Sequence, residues 1–148
     1  TTSAISMDIL RHYPSLDRDL VLTGILLHDI GKVKGLQFTT EADYTDAGML
    51  IGHITLGLEI LNESVENMKI DDEILLKLKH IILSHQGSFQ NGTPVPPRFP
   101  EALFIHLLDT FDGKMDIMLR EINNDPNLNW TNKHNHFYRE LWKKYIYP

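Results

Sequence analysis

The chain has no cysteine among its 148 residues. That absence removes disulfides, thiolate nucleophiles and zinc-thiolate sites together, so any metal must be held by His, Asp and Glu, a donor set that favours catalytic over structural metal. No apolar run approaches the ~20 residues that span a bilayer, and the N-terminus has no basic region followed by an apolar signal core. The expectation is a soluble, cytoplasmic protein with no membrane partner. Basic charge is scarce: a net charge of −6 argues against a domain that clamps duplex nucleic acid through a broad basic face. The deficit is uneven, because residues 129–148 carry Lys133, Arg139, Lys143 and Lys144 against Glu140 alone. Repeats and low-complexity segments are missing too, and nothing calls for a β-strand. With 42% hydrophobic residues, the length suits one globular domain over 1–148 with a real core. The start at Thr1, without an initiator Met, points to a piece of a longer chain.

What the sequence does have is concentrated at the end of an apolar run, DLVLTGILLHDIGK over Asp19–Lys32. Leu20, Val21, Leu22, Ile25, Leu26 and Leu27 are apolar on nearly every face, as in a helix enclosed by others. His28 and Asp29 follow at its end. Buried polar groups need partners or cost several kcal/mol or so, and two readings supply them: a divalent ion shared by imidazole and carboxylate, or a satisfied core His beside a helix C-terminal Asp.

Residues 3–12 read as the end of a helix, broken at Pro14-Ser15. Ser15 or Asp17 caps the next one, which runs to about Asp29. Gly24 permits close helix approach and Gly31 a change of direction. From Val33 to Thr45 periodicity disappears and a loop is expected beside the site. Residues 46–62 predict a helix with Leu50, Ile54, Leu58 and Leu61 on one stripe and His53 beside it; taken alone, that His reads as core. Asp71-Asp72 caps a helix that carries Ile74 to Ile82 and ends at His85 before Gly87. His80 lies about 140° around that helix from His85 and is assigned to packing or surface. Residues 87–100 are dense in Gly and Pro and predict an extended loop. Pro100 and Glu101 open a helix over 100–122, in which Asp109 stands inside the apolar stretch ALFIHLLDTF. An uncompensated carboxylate there would be protonated or expelled, so Asp109 is a ligand or a hydrogen-bonded structural group. After a turn at 123–129, Trp130, His134, Phe137, Leu141 and Tyr145 predict a last amphipathic helix. Its opposite face, with Tyr138, Trp142, Lys143 and Lys144, and with Tyr147 beyond, is a possible contact for single-stranded nucleic acid.

The ordered set His28-Asp29, His53, His85, Asp109 resembles the HD superfamily of metal-dependent phosphohydrolases. The segments that carry the resemblance are LLHDIGK (26–32), GHITLG (52–57), LSHQG (83–87) and PEALFIHLLDTFDGKM (100–115), and together they look most like the HD domain of YhaM-type 3′-5′ exoribonucleases. In that family the last two read close to LSHHG and EALxLHxxDNLDAKM. The resemblance implies an all-α fold, an HD-domain helical bundle of about six helices. It implies one or two divalent metal ions (Mn, Fe, Co, Ni, Zn or Mg), with Asp29 as the bridge, His28 and Asp109 on the first ion, and His53 and His85 on the second. Two departures stand out. The family's further ligand His, usually followed by Thr, would fall before Thr1-Thr2, and the family's N-terminal OB-fold is not in this sequence. Where the family often has His-His, this chain has His85-Gln86.

The implied activity is a phosphodiesterase, a 3′-5′ exonuclease on single-stranded RNA or DNA that attacks with metal-activated water, Asp29 acting in catalysis. Lys32, one turn beyond the HD pair, either contacts phosphate or is a solvated lysine at a helix end. The alternatives are a phosphohydrolase of small nucleotides and a degenerate HD domain serving as a regulatory binding module.

Overall fold

A computed structural model describes residues 2–38 and 42–144. They fall into two compact units, Thr1–Asp109 and Thr110–Pro148.

The first unit is all-α apart from one small hairpin. Helix α1 spans Thr2–Leu10, and α2 spans Arg18–Leu27, its first turn capped by the Asp17 carboxylate, which accepts from the Leu20 N–H at 3.0 Å. Short α3 (Lys32–Gly35) leads into β1 (Leu36–Phe38) and β2 (Ala42–Tyr44), antiparallel with Leu36 opposite Tyr44. Residues 33–45 are thus not the plain loop expected from sequence: Thr45 fixes the returning strand, its N–H donating to Gly35 O at 3.1 Å and its hydroxyl to Lys34 O at 2.9 Å.

The helix expected over 46–62 is two helices, α4 (Asp46–Leu50) and α5 (His53–Val65). The break falls at Gly52, whose φ of +82° is a backbone setting that side-chain-bearing residues rarely adopt. Helix α6 (Asp72–Ser84) is capped by Asp71, which accepts from the Glu73 and Ile74 N–H groups. Residues 87–99 form the expected loop around a single 3₁₀ turn at Phe89–Asn91. Helix α7 spans Pro100–Asn124. Helix α2 packs on α1 and α6, and α5 packs on α3 and α6. Their apolar stripes meet in one core that includes Leu20, Val21, Ile25, Leu61, Leu78, Ile81 and Ile82, with Ala102, Ile105 and Leu108 from α7.

The second unit departs most from expectation. Among its described residues no helix follows Asn124, and the predicted helix over 130–145 is absent. Asn and Asp side chains bond to backbone N–H groups instead: Asp125 accepts from Asn127 and Asn132, Asn132 from His134, and Asn135 from Phe137. Such local bonds compete with a helix for the same donors. The chain turns back at Tyr138 (φ +52°), and Trp130 pairs with Trp142 across an isolated bridge, their rings stacked at 6.3 Å. Leu141 is buried as predicted, but Trp130 is 54% exposed, so the expected core-facing stripe does not exist. The Lys143 ammonium is engaged by Asp125 and nearly buried, which withdraws it from the expected nucleic-acid face. Tyr145 and Tyr147 lie outside the described residues. No helix among the described residues is long and apolar enough to cross a membrane.

Two glycine contacts fix the geometry of the first unit. A Cβ on Gly31 would lie 1.8 Å from His53 O, and one on Gly48 would lie 2.0 Å from Gly35 O. Both obstructions are backbone and cannot swing away. Gly31→Ala is therefore expected to cost about 3 kcal/mol, the upper end of overpacking, or roughly 10 °C in Tm. Gly113→Ala has nothing within 4 Å and should stabilise its helix by about 0.5–1 kcal/mol. Thermal unfolding of the two variants checks the contrast, and equal Tm values would refute the close-approach account.

Candidate metal centre

Helix ends converge on Asp29. His28 is the C-cap of α2; its N–H donates to Gly24 O at 2.8 Å, and its ring Nδ1 donates to Ile25 O at 2.9 Å. His85 repeats the device at the end of α6, with Nδ1 donating to Ile82 O at 2.8 Å. In each neutral ring the proton therefore sits on Nδ1 and the Nε2 lone pair faces the cluster. His53 opens α5 directly after Gly52, held near Asp29 by the Gly31 contact. Asp109 enters from α7.

The distances define two groups that share one carboxylate. His28 Nε2 lies 3.4 Å from Asp29 Oδ2 and 3.4 Å from Asp109 Oδ1. His53 Nε2 and His85 Nε2 each lie 3.6 Å from Asp29 Oδ1. Within each group, His28-Asp29-Asp109 and Asp29-His53-His85, the ligating atoms are all within 4.8 Å of one another. These are the five residues singled out from sequence, and the structure brings all of them together. Lys32 lies beside them, its Nζ 2.6 Å from Asp29 Oδ2.

The donors fit divalent ions on physical grounds. His28 Nε2 and Asp29 Oδ1 are buried and have no hydrogen-bond partner, an arrangement that costs several kcal/mol or so unless a cation completes it. At 3.4 Å the carboxylates surround His28 Nε2 with negative charge without accepting a well-formed hydrogen bond. Three protein donors per ion would leave positions open for water and substrate. Burial opposes charging His28, but the Asp109 and Asp29 carboxylates outweigh it and push its pKa up to about 10. Burial likewise opposes ionisation of Asp29, yet contacts with His28 and Lys32 hold it well below the usual carboxylate range. The contact with His28 holds Asp109 low too. Burial pushes His53 and His85 down, which favours their neutral rings.

The roles of two supporting residues, His106 and Gln86, escaped the sequence reading, which noted Gln86 only as a departure from the family's His-His. His106 Nδ1 donates to His85 O at 2.8 Å, and its ring packs where a Cβ on Gly87 (φ +81°) would lie 2.1 Å away. Gly87 followed by a ring on the next helix secures the end of α6; the only trace in sequence is the His one turn before Asp109. The Gln86 amide donates to His85 Nε2 at 2.9 Å, while His53 Nε2 lies 3.3 Å from the same atom. His80 is not in the cluster; its Nε2 accepts from the Arg98 N–H at 3.1 Å, consistent with packing.

The HD-domain family model matches residues 1–114. The chain is 46% identical over 110 residues to the 3′-5′ exoribonuclease YhaM of Bacillus subtilis (strain 168), covering 74% of this chain and 35% of that protein. It is 43% identical over 118 residues to the 3′-5′ exoribonuclease YhaM of Bacillus pumilus (strain SAFR-032), covering 80% and 38%. For the protein of that name from Oceanobacillus iheyensis the identity is 40% over 119 residues, covering 80% and 38%. The chain thus spans just over a third of the length of these relatives. No solved structure matches it.

Asp29→Ala is expected to abolish binding at both ion positions, because the bridge is lost and the ions' repulsion is left unbalanced. Asp109→Asn should weaken the first and largely spare the second. Metal equivalents per chain after dialysis test this: two retained by Asp29→Ala, or both lost in Asp109→Asn, would refute the division. Stability of the metal-free chain should follow the shifted groups. The raised His28 pKa stabilises the fold fully below pH 6.5, and this is lost progressively as pH rises to about 10. The lowered Asp29 and Asp109 pKa values stabilise it above their ordinary 3.8 and are lost as pH falls below that. The lowered His53 and His85 pKa values act oppositely to His28 and cost stability as pH falls below 6.5, so urea unfolding across pH should show a maximum near pH 6.5, with an alkaline decline that His28→Gln removes.

Proposed function

The chain belongs to the HD-domain family, and from that premise we propose that it is the hydrolytic domain of a metal-dependent phosphodiesterase that removes nucleotides from the 3′ end of single-stranded RNA. One observation carries the reading: two three-residue donor groups meet at a single carboxylate, Asp29, in a chain whose relatives are named 3′-5′ exoribonucleases. His28, Asp29 and Asp109 would hold one ion and Asp29, His53 and His85 the other. A donor set of imidazoles and carboxylates suits Mn, Fe, Co, Ni or Zn, and Mg at its carboxylate-rich end. Bound there, the ions supply Lewis acidity, which lowers the pKa of water and stabilises the leaving oxygen.

The protein's own part is orientation. The backbone carbonyls of Ile25 and Ile82 fix the His28 and His85 rings, so that neither needs to reorganise. His106 restrains the backbone that carries His85. Asp29 is kept ionised and is placed between both donor groups. Lys32, half-exposed and bonded to Asp29, can extend to a non-bridging phosphate oxygen while it stays on the rim of the cluster. Lys32 then offsets the negative charge that a phosphodiester brings to a site already holding two carboxylates.

The test is shortening of a 5′-labelled single-stranded RNA oligonucleotide by the chain with Mn²⁺. A ladder that recedes from the 3′ end, with release of nucleoside monophosphate, is expected. Asp29→Ala should abolish it, and Lys32→Ala should lower kcat about a hundredfold. Intact RNA alongside rapid hydrolysis of free nucleotides would move the chain to the small-nucleotide phosphohydrolases. Inactivity on both, without metal uptake, would make it a binding module.

A further inference from the structure

Beside the cluster opens a cavity of about 250 Å³, lined by Lys32, Leu36, Tyr44, His53 and Gln86 together with Gly35 and Gly48, the glycines of the α3–α4 contact. Its walls differ in chemistry. On one side is the Lys32 ammonium, next to Asp29; on another are the Leu36 side chain and the Tyr44 ring, which face each other as a cross-strand pair. The Gln86 amide and the His53 ring border the metal centre. Tyr44 remains 55% exposed, which leaves ring surface uncovered by the protein.

The cavity is built rather than incidental. Thr45, the neighbour of Tyr44, anchors the strand to Gly35 O and Lys34 O and caps α4 through Gly48 N–H. Gly48 then lets α4 come against Gly35 at a distance no side chain would allow. Tyr44 is thereby held on the same cavity as Lys32 although twelve residues separate them.

A ligand that satisfies these walls needs an anion for Lys32, a flat ring for Tyr44 and Leu36, and polar edge groups for Gln86. Bare phosphate would leave the apolar wall wet, and an uncharged ring would leave the half-exposed side of the ammonium, the side not taken by Asp29, to water alone. The volume lies just below the roughly 300–1,000 Å³ of drug-sized ligand sites, which suits one nucleotide and not a stacked pair. We propose that this cavity seats the 3′-terminal nucleotide, its base against Tyr44 and Leu36 and its phosphate toward Lys32 and the metal centre. The assignment rests on the exonuclease reading above. It gives a reason for single-nucleotide steps from an end: an internal residue would have to carry its 3′ neighbour into a space that has no room for it.

The experiment is calorimetric binding of AMP and of ribose 5-phosphate to the full chain in Mg²⁺, with Tyr44→Ala and Tyr44→Phe. The wild type is expected to bind AMP more tightly than ribose 5-phosphate. Tyr44→Ala should weaken AMP about tenfold or more, the value of one stacked base, while ribose 5-phosphate is unaffected; Tyr44→Phe should keep the difference. On RNA, Tyr44→Ala should raise KM more than it lowers kcat. Unchanged AMP affinity in Tyr44→Ala, or equal loss of both ligands, overturns the subsite. RNA shortening by the wild type together with unchanged AMP affinity in Tyr44→Ala would leave the exonuclease standing without it. Tyr44-dependent AMP binding without RNA shortening would keep the nucleotide site and overturn the polymeric substrate.

Discussion

A single carboxylate at the meeting point of helix ends imposes most of what the first unit does. Asp29 sits in the turn after α2, with one oxygen buried and without a hydrogen-bond partner and the other near both His28 and Lys32. Such a group is tolerable only if cations gather around it. The fold sets one cation, the charged His28, and two neutral donors that could hold others around it by terminating helices there: α2 is capped by His28, α5 begins at His53, and α6 is capped by His85. Donors at helix ends do not interrupt the apolar faces of those helices. The core of Val21, Ile25, Ile81, Ile82 and Ile105 therefore stays continuous directly behind a cluster of titratable groups. That core is what can hold unsatisfied polar atoms in place, since a folded domain has only about 5–15 kcal/mol to spare.

Glycine is how the backbone reaches the required distances. His53 comes to Asp29 because Gly31 has no Cβ to meet His53 O, and the hairpin that carries Tyr44 comes to Lys32 because Gly48 has none to meet Gly35 O. Neither effect is about φ. Both are steric, and they couple the metal centre to the neighbouring cavity, since α3, only four residues long, bears Lys32 at one end and Gly35 at the other.

The parts legible in sequence were those where chemistry contradicts its surroundings. His28-Asp29 and Asp109 are polar groups in apolar runs, and His85 closes a periodic helix before Gly87. Asp17, Asp71 and Pro100 marked helix starts because capping is local. What stayed hidden depended on short pieces or distant contacts. Three-residue strands are too brief to show alternation, and apolar spacing ran unbroken through Gly52 although only α5 buries its apolar residues: Leu50 of α4, placed on the same stripe, is exposed. In the tail, Trp130, Phe137 and Leu141 fit a helical period, but that period says nothing of the Asx side chains between them, which bind the backbone donors a helix needs. His106 and Gln86 acquire their roles only through bonds to His85 that the sequence does not display.

Charge raises a last question: how a chain of net charge −6 would attract a polyanion. Its metal-free cluster is close to balanced, with Asp29 and Asp109 ionised against Lys32 and a His28 whose pKa is pushed up to about 10. Entry of a divalent ion must displace the His28 proton, so one positive charge leaves as two arrive. Each ion taken up therefore turns the cluster more positive, and the field over the Lys32–Tyr44 cavity with it. Affinity for phosphate and affinity for metal are then linked, each raising the other by the same factor. On the proposed reading, the attraction for an RNA end in a chain of net charge −6 would come from this cluster and its ions, and not from the charge of the chain as a whole.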